Sequence, residues 1–195
     1  MRFISHHDVM RLFQRALRRA VIEVRMSRGF NPHPRMVFVL PLGVGIESDC
    51  EILFLDTSRW YRATELCERL EAELPHGIEL LEVTLASPRS SAVPRDVAYV
   101  ATLPESNGKD MEGITEKVES FLQSRSVEID RVRRDKVSRI DLRPYVSALE
   151  VTPEGLEMHI RVTPKGAARP DDILRALGVD ALAVRIRRTE LNLNP

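Results

Sequence analysis

Ser87-Pro88-Arg89-Ser90-Ser91-Ala92-Val93-Pro94 has the composition of a linker, dense in serine and carrying Pro88 and Pro94 near its two ends. Apolar periodicity stops before it and resumes after it. The chain of 195 residues therefore reads as two halves, residues 1–86 and 96–195, joined by residues 87–95.

After the linker, residues 96–103 read as a strand and residues 110–123 as a helix with Met111, Ile114, Val118, Phe121 and Leu122 on one face. Residues 127–132 and 136–140 are expected strands around a charged turn. Residues 145–151 and 156–162 flank Thr152-Pro153-Glu154-Gly155, a hairpin signal. Pro170 opens a short helix that Gly178 closes, and residues 183–191 form a last strand.

Before the linker the same order recurs. Phe3-Ile4 reads as the tail of a strand. Ser5 and Asp8 form a capping box at the start of a helix over residues 8–20. Val9, Phe13, Ala16, Leu17 and Ala20 mark its apolar face, with Arg11, Arg15, Arg18 and Arg19 elsewhere on its surface. Residues 22–26, 36–40 and 50–56 are expected strands, residues 62–74 a helix, and residues 78–85 a strand. Strand–helix–strands–helix–strand, twice over, predicts an α+β protein of two ferredoxin-like (split βαβ) halves, each an antiparallel sheet with helices on one face. One larger mixed sheet is the alternative.

The formal net charge is zero, but it is unevenly spread. Residues 1–36 hold eight arginines against Asp8 and Glu23, whereas residues 37–123 hold seven basic and sixteen acidic side chains. A basic head beside an acidic middle implies a directional polar surface rather than a general nucleic-acid binder. No apolar run reaches the roughly 18 residues of a membrane span, and no signal-peptide pattern opens the chain. With only Cys50 and Cys67, a disulfide framework is not expected, and the predicted location is the cytoplasm.

The sharpest local signal is Gly29-Phe30-Asn31-Pro32-His33-Pro34-Arg35. Two prolines at alternate positions stiffen the chain on both sides of His33. The competing reading is a structural turn whose imidazole caps a backbone group. Arg11, Arg15 and Arg18 share a helix face at i, i+4 and i+7 and have only Asp8 as a nearby helical acid. That face suits phosphates, or else it is a solvated face turned to the acidic middle. Ser5, His6 and His7 sit at a helix start, where amides and the dipole favour an anion. In the second half, Arg139 and Arg143 flank Asp141, and an Asp141–Arg143 pair across the turn is the plain alternative to a binding role. The candidate substrate- or phosphate-binding residues are thus Ser5, His6, Arg11, Arg15, Arg18, Asn31, His33, Arg35, Arg139 and Arg143.

Adjacent histidines lack the i, i+4 spacing of helical metal ligands, and neither cysteine has a close partner, so no metal site is expected. No phosphate-binding glycine loop, nucleophile elbow or carboxylate dyad is present.

Arg2-Phe3-Ile4-Ser5-His6-His7-Asp8, Arg15-Ala16-Leu17-Arg18-Arg19-Ala20, the Gly29–Arg35 loop and Pro41-Leu42-Gly43-Val44 together resemble the bacterial radical-SAM-linked family of unknown function. Asp141-Leu142-Arg143-Pro144 and Arg169-Pro170 are similar to it too. Members usually carry more sequence before the Arg-Phe pair, and His7 stands where an apolar residue is common. The resemblance implies a module found beside, or fused to, a cobalamin-type radical SAM protein. This chain has no Cys-x3-Cys-x2-Cys motif, so the iron–sulfur cluster, S-adenosylmethionine and cobalamin are expected only on that partner.

Three readings follow. The first is a non-catalytic module presenting RNA or another phosphate-bearing substrate to a radical SAM enzyme. RNA enters here only by analogy with other ferredoxin-like sheets. The second is a metal-independent ribonuclease or phosphotransfer enzyme with His6 or His33 as acid/base and Arg35 stabilising developing charge. The third is a protein–protein adaptor docking through the acidic middle.

Overall fold

The computed structural model describes residues 2–87, 92–103, 108–133 and 136–194. Pro88 to Ser91 of the expected linker, and Arg134 and Asp135 of the charged turn, lie outside them. In order, the elements are α1 (His6–Arg19), β1 (Met36–Phe38), β2 (Ile46–Ser48), β3 (Leu53–Leu55), α2 (Ala63–Glu71), β4 (Pro94–Thr102), α3 (Gly108–Gln123), β5 (Glu128–Arg133), β6 (Lys136–Asp141), β7 (Val146–Thr152), β8 (Gly155–Arg161), α4 (Pro170–Ala176) and β9 (Arg185–Leu193). The chain is thus a mixed α and β protein. It divides into two compact units, one of Met1–Gly45 with Glu51–Val93, the other of Ile46–Cys50 with Pro94–Asn194.

The first unit is built on α1. The Ser5 hydroxyl accepts from the Asp8 amide at 3.2 Å and donates to the Asp8 carboxylate at 2.6 Å, which fixes the helix start. At the other end the amides of Val21 and Ile22 turn back to the carbonyls of Arg18 and Leu17, with Val21 in the left-handed region at φ 53°. Between these caps Phe13, Ala16 and Leu17 are buried, and Phe13 meets Phe38 edge-on at 5.4 Å. β1 and β3 pair antiparallel, with Met36 opposite Leu55 and Phe38 opposite Leu53, and these side chains line the same core. Leu70 of α2 and Tyr61 complete it, the Tyr61 hydroxyl accepting the Glu23 amide at 2.7 Å. Each large aliphatic or aromatic side chain buried here contributes about 1.5–3 kcal/mol.

This unit has less sheet than the sequence reading expects. Phe3 lies in a turn. Residues 22–26 form only isolated bridges, Val24 with Thr57 and Met26 with Pro34. Residues 78–85 form no strand: Ile78 and Leu80 pack on the core while Leu81 and Leu85 stay exposed. Alternating burial is satisfied there by packing alone, without a hydrogen-bonded ladder.

The second unit carries a five-stranded sheet in the order β2-β9-β4-β8-β7. β2 runs parallel to β9, and the other neighbours are antiparallel. The expected strand over residues 50–56 is displaced: residues 46–48 join this sheet as β2, and only residues 53–55 remain a strand of the first unit. Central β4 is buried from Val97 through Ala101, as a strand covered on both faces should be. Leu156, Met158 and Ile160 alternate along β8, opposite Ala101, Tyr99 and Val97, and are fully buried. α3 packs on β7, burying Val118 and Phe121, and α4 buries Ile173 and Leu174. The β7–β8 turn brings Gly155, at φ 136°, so close to β4 that a Cβ would stand 2.1 Å from the Ala101 carbonyl oxygen. β5 and β6 form a separate hairpin inserted between α3 and β7.

Candidate functional site

The arginine face of α1 belongs to the first unit. Arg11, Arg15, Arg18 and Arg19 are all exposed. Arg19 is held by Glu73, donating to its carboxylate and its carbonyl at 2.6 Å each. Arg11 faces Asp8 at 3.6 Å, with both side chains more than half exposed, a geometry that attracts weakly. Arg15 and Arg18 make no ion pair among the described residues. An open depression of about 390 Å³ is lined by Asp8, Arg11, Leu12, Arg15, Arg19 and Pro75. The Ser5 hydroxyl, followed by the Arg11 charge, holds the Asp8 carboxyl below its ordinary value against the opposing effect of desolvation. Asp8 therefore stays ionised and Ser5 stays occupied as the cap.

The Gly29–Arg35 segment is the end of a hairpin. The Ser27 amide donates to the His33 carbonyl at 2.7 Å, the His33 amide to the Ser27 hydroxyl at 2.9 Å, and the Arg35 amide to the Arg25 carbonyl at 2.7 Å. Residues 28–33 beyond this lock are all exposed, Asn31 and the His33 imidazole included. At its foot Asp56 takes Arg35 at 3.0 Å and Arg25 at 3.6 Å, so two guanidinium groups share one carboxylate. A second depression, of about 460 Å³, is lined by Met26, Ser27, Arg28 and Arg35.

His6 is half-buried, edge-on to Phe38 at 5.7 Å and 6.0 Å from the ring of exposed His7. No hydrogen bond or ring contact among the described residues joins His6 to His33 or Arg35.

Arg139 and Arg143 lie in the second unit. Arg139 is exposed beside Glu128 and Asp130 at 3.6 and 3.5 Å. Arg143 does not pair with Asp141 through its guanidinium. That group donates to the carbonyls of Leu122 and Val146 at 2.8–3.2 Å, while Asp141 accepts the Arg143 amide at 3.0 Å and the Val127 amide at 2.8 Å. Burial pushes the Asp141 carboxyl up, but these two amides, the Ser126 hydroxyl and the Arg143 charge outweigh it and leave the group below its ordinary value. Arg143 thus ties α3 to the start of β7.

Reading the sequence alone passed over Arg28, which has no ion pair among the described residues and lines the second depression, and Phe30, whose ring is wholly exposed. The available signal was an aromatic among turn-forming residues, where the local chain offers it no core.

Among the described residues no group of three or more histidine, cysteine, aspartate or glutamate side chains is placed to hold a metal ion. Cys50 and Cys67 are half-buried and free of disulfides. No helix among those residues is long and apolar enough to cross a membrane. No curated protein matches the chain. Residues 1–170, which include α1, the hairpin and most of the second unit, match the model of a family described as an uncharacterized protein conserved in bacteria (DUF2344), and the chain belongs to that family.

Proposed function

We propose that this chain is a non-catalytic substrate-binding module that works with a radical SAM enzyme and holds RNA or another phosphate-bearing substrate on the arginine face of α1. One observation carries the reading: Arg11, Arg15 and Arg18 stand exposed on one face, and Arg15 and Arg18 have no carboxylate to neutralise them among the described residues. Uncompensated guanidinium groups at one-turn spacing suit successive anionic groups, and their forked donors suit phosphate oxygens. The exposed His33 and the Arg28–Arg35 depression add donors on the same unit. The chemistry, with its iron–sulfur cluster, S-adenosylmethionine and cobalamin, belongs to the partner, and the radical SAM link rests on the motifs quoted above.

The fold reading that goes with this is a split βαβ, ferredoxin-like second unit. Its support is the element order β4-α3-β7-β8-α4-β9 with strand order β9-β4-β8-β7, to which β2 adds an edge and β5–β6 an insertion.

Two experiments test the function. The full chain, titrated with RNA at low salt, should bind, and absence of binding to every RNA tried sinks the RNA part. Co-expressed with a cobalamin-type radical SAM protein from the same bacterium, the chain should be retained through purification, and its complete separation removes the partner part.

A further inference from the structure

An isolated exposed apolar side chain is ordinary on a protein surface. Phe30 differs in how it is presented. Its relative exposure is 112%, so it touches almost nothing of its own chain. It sits at the tip of a hairpin clamped at its foot by three hydrogen bonds through Ser27, His33, Arg25 and Arg35. Gly29, at φ 136°, supplies a conformation that other residues rarely adopt, and Pro32 and Pro34 stiffen the returning arm. The fold therefore spends rigidity on holding a ring in water, giving up the gain that burial of a phenylalanine brings.

The charge carried by the same hairpin names its occupant. Arg28 has no carboxylate partner among the described residues, and Arg25 and Arg35 share Asp56, so the hairpin and its foot carry an excess of positive charge. A stiff aromatic on a hairpin that also carries surplus cations is the combination that grips unpaired nucleotides, the ring stacking on a base while guanidinium groups hold nearby phosphates. A socket on a protein partner would want the ring without this surplus of charge.

We infer that Phe30 is a stacking platform for an unpaired base, which makes the substrate class a single-stranded or looped nucleic acid rather than a small phosphate ester. The inference rests on the polyanion reading above and adds to it the requirement for a base.

The test uses the full chain, a twelve-nucleotide single-stranded RNA carrying 2-aminopurine, and inorganic polyphosphate of similar charge, all at low salt. Binding should quench the 2-aminopurine emission, since stacking does so. Phe30→Ala should weaken RNA binding about tenfold and abolish the quenching. Phe30→Trp should retain both, and polyphosphate affinity should be the same in all three proteins. Equal RNA affinity in the wild type and Phe30→Ala, with polyphosphate still bound, overturns stacking and leaves the polyanion reading standing. A wild-type chain that binds neither RNA nor polyphosphate removes both. Phe30→Ala that keeps RNA but releases a co-purifying protein overturns stacking and makes the ring a protein-docking knob.

Discussion

The two units hold some of their arginines differently. In the second unit several guanidinium groups are committed to the fold. Arg131 and Arg175 converge on Asp172, a carboxylate only 1% exposed; Arg143 caps carbonyls; Arg185 and Arg187 reach Glu47 and Asp49 at 2.9 Å. Arg188, also 1% exposed, lies on the apolar face of β9 and donates to the Tyr99 hydroxyl at 3.0 and 3.3 Å. In the first unit Arg15, Arg18 and Arg28 are exposed and make no ion pair among the described residues. The same side chain ties elements of the second unit together and, at these positions of the first, leaves charge on offer. Buried pairs cost several kcal/mol to break, while exposed cations can be removed almost without loss of stability.

That contrast is broken most severely at Gly155. Gly155→Ala drives a methyl group into the Ala101 carbonyl and should cost more than about 4 kcal/mol, read as insoluble expression or a collapsed urea midpoint. Wild-type stability would mean that β8 does not approach β4 as described. Next comes Asp172→Ala, which strands Arg131 and should cost about 3–5 kcal/mol in denaturant unfolding. A loss below about 1 kcal/mol would make this pair no different from a surface one. In the first unit the expected change has the opposite sign. Val21 is the one β-branched residue at positive φ among the described residues, so Val21→Gly should stabilise by about 1 kcal/mol, a thermal shift of about 2–4 °C.

The smallest effect is confined to acid. Asp96, held low first by Asn192 and then by Arg95, and Asp141 both titrate below the ordinary value of 3.8 in the folded protein. A depressed folded value means that their stabilisation is present above 3.8 and drains away as the pH falls through the folded values. Asp141→Asn should flatten the acid limb of the stability curve and leave its slope near pH 7 alone. A changed slope at neutral pH would show that another group titrates there.

How much of this was legible in the sequence follows from the range of each interaction. Local signals read well: the Ser5–Asp8 cap, the α1 stripe, the Thr152–Gly155 turn, and Pro170 opening α4 with Gly178 after it. Long-range pairing did not. Ile46–Ser48 is too short to show a period, and it finds β9 well over a hundred residues away. Arg131–Asp172 joins side chains 41 positions apart that no spacing rule connects. The apolar residues of 78–85 suggest a strand, but Ile78 and Leu80 pack on the first unit's core without a ladder. At the candidate site the positions of Arg11, Arg15 and Arg18 on one face followed from helical spacing alone. Which of them lack a carboxylate depended on where Glu73 folds back, and Arg19 took it.

The decisive measurement is the salt dependence of single-stranded RNA binding by the intact chain and by an Arg11→Gln/Arg15→Gln/Arg18→Gln variant. Three lost phosphate contacts should lower the slope of log affinity against log salt by about 2, with the variant as stable as the parent. An unchanged slope, or a parent that binds no RNA at low salt, would contradict the claim that this helix face holds a polyanion.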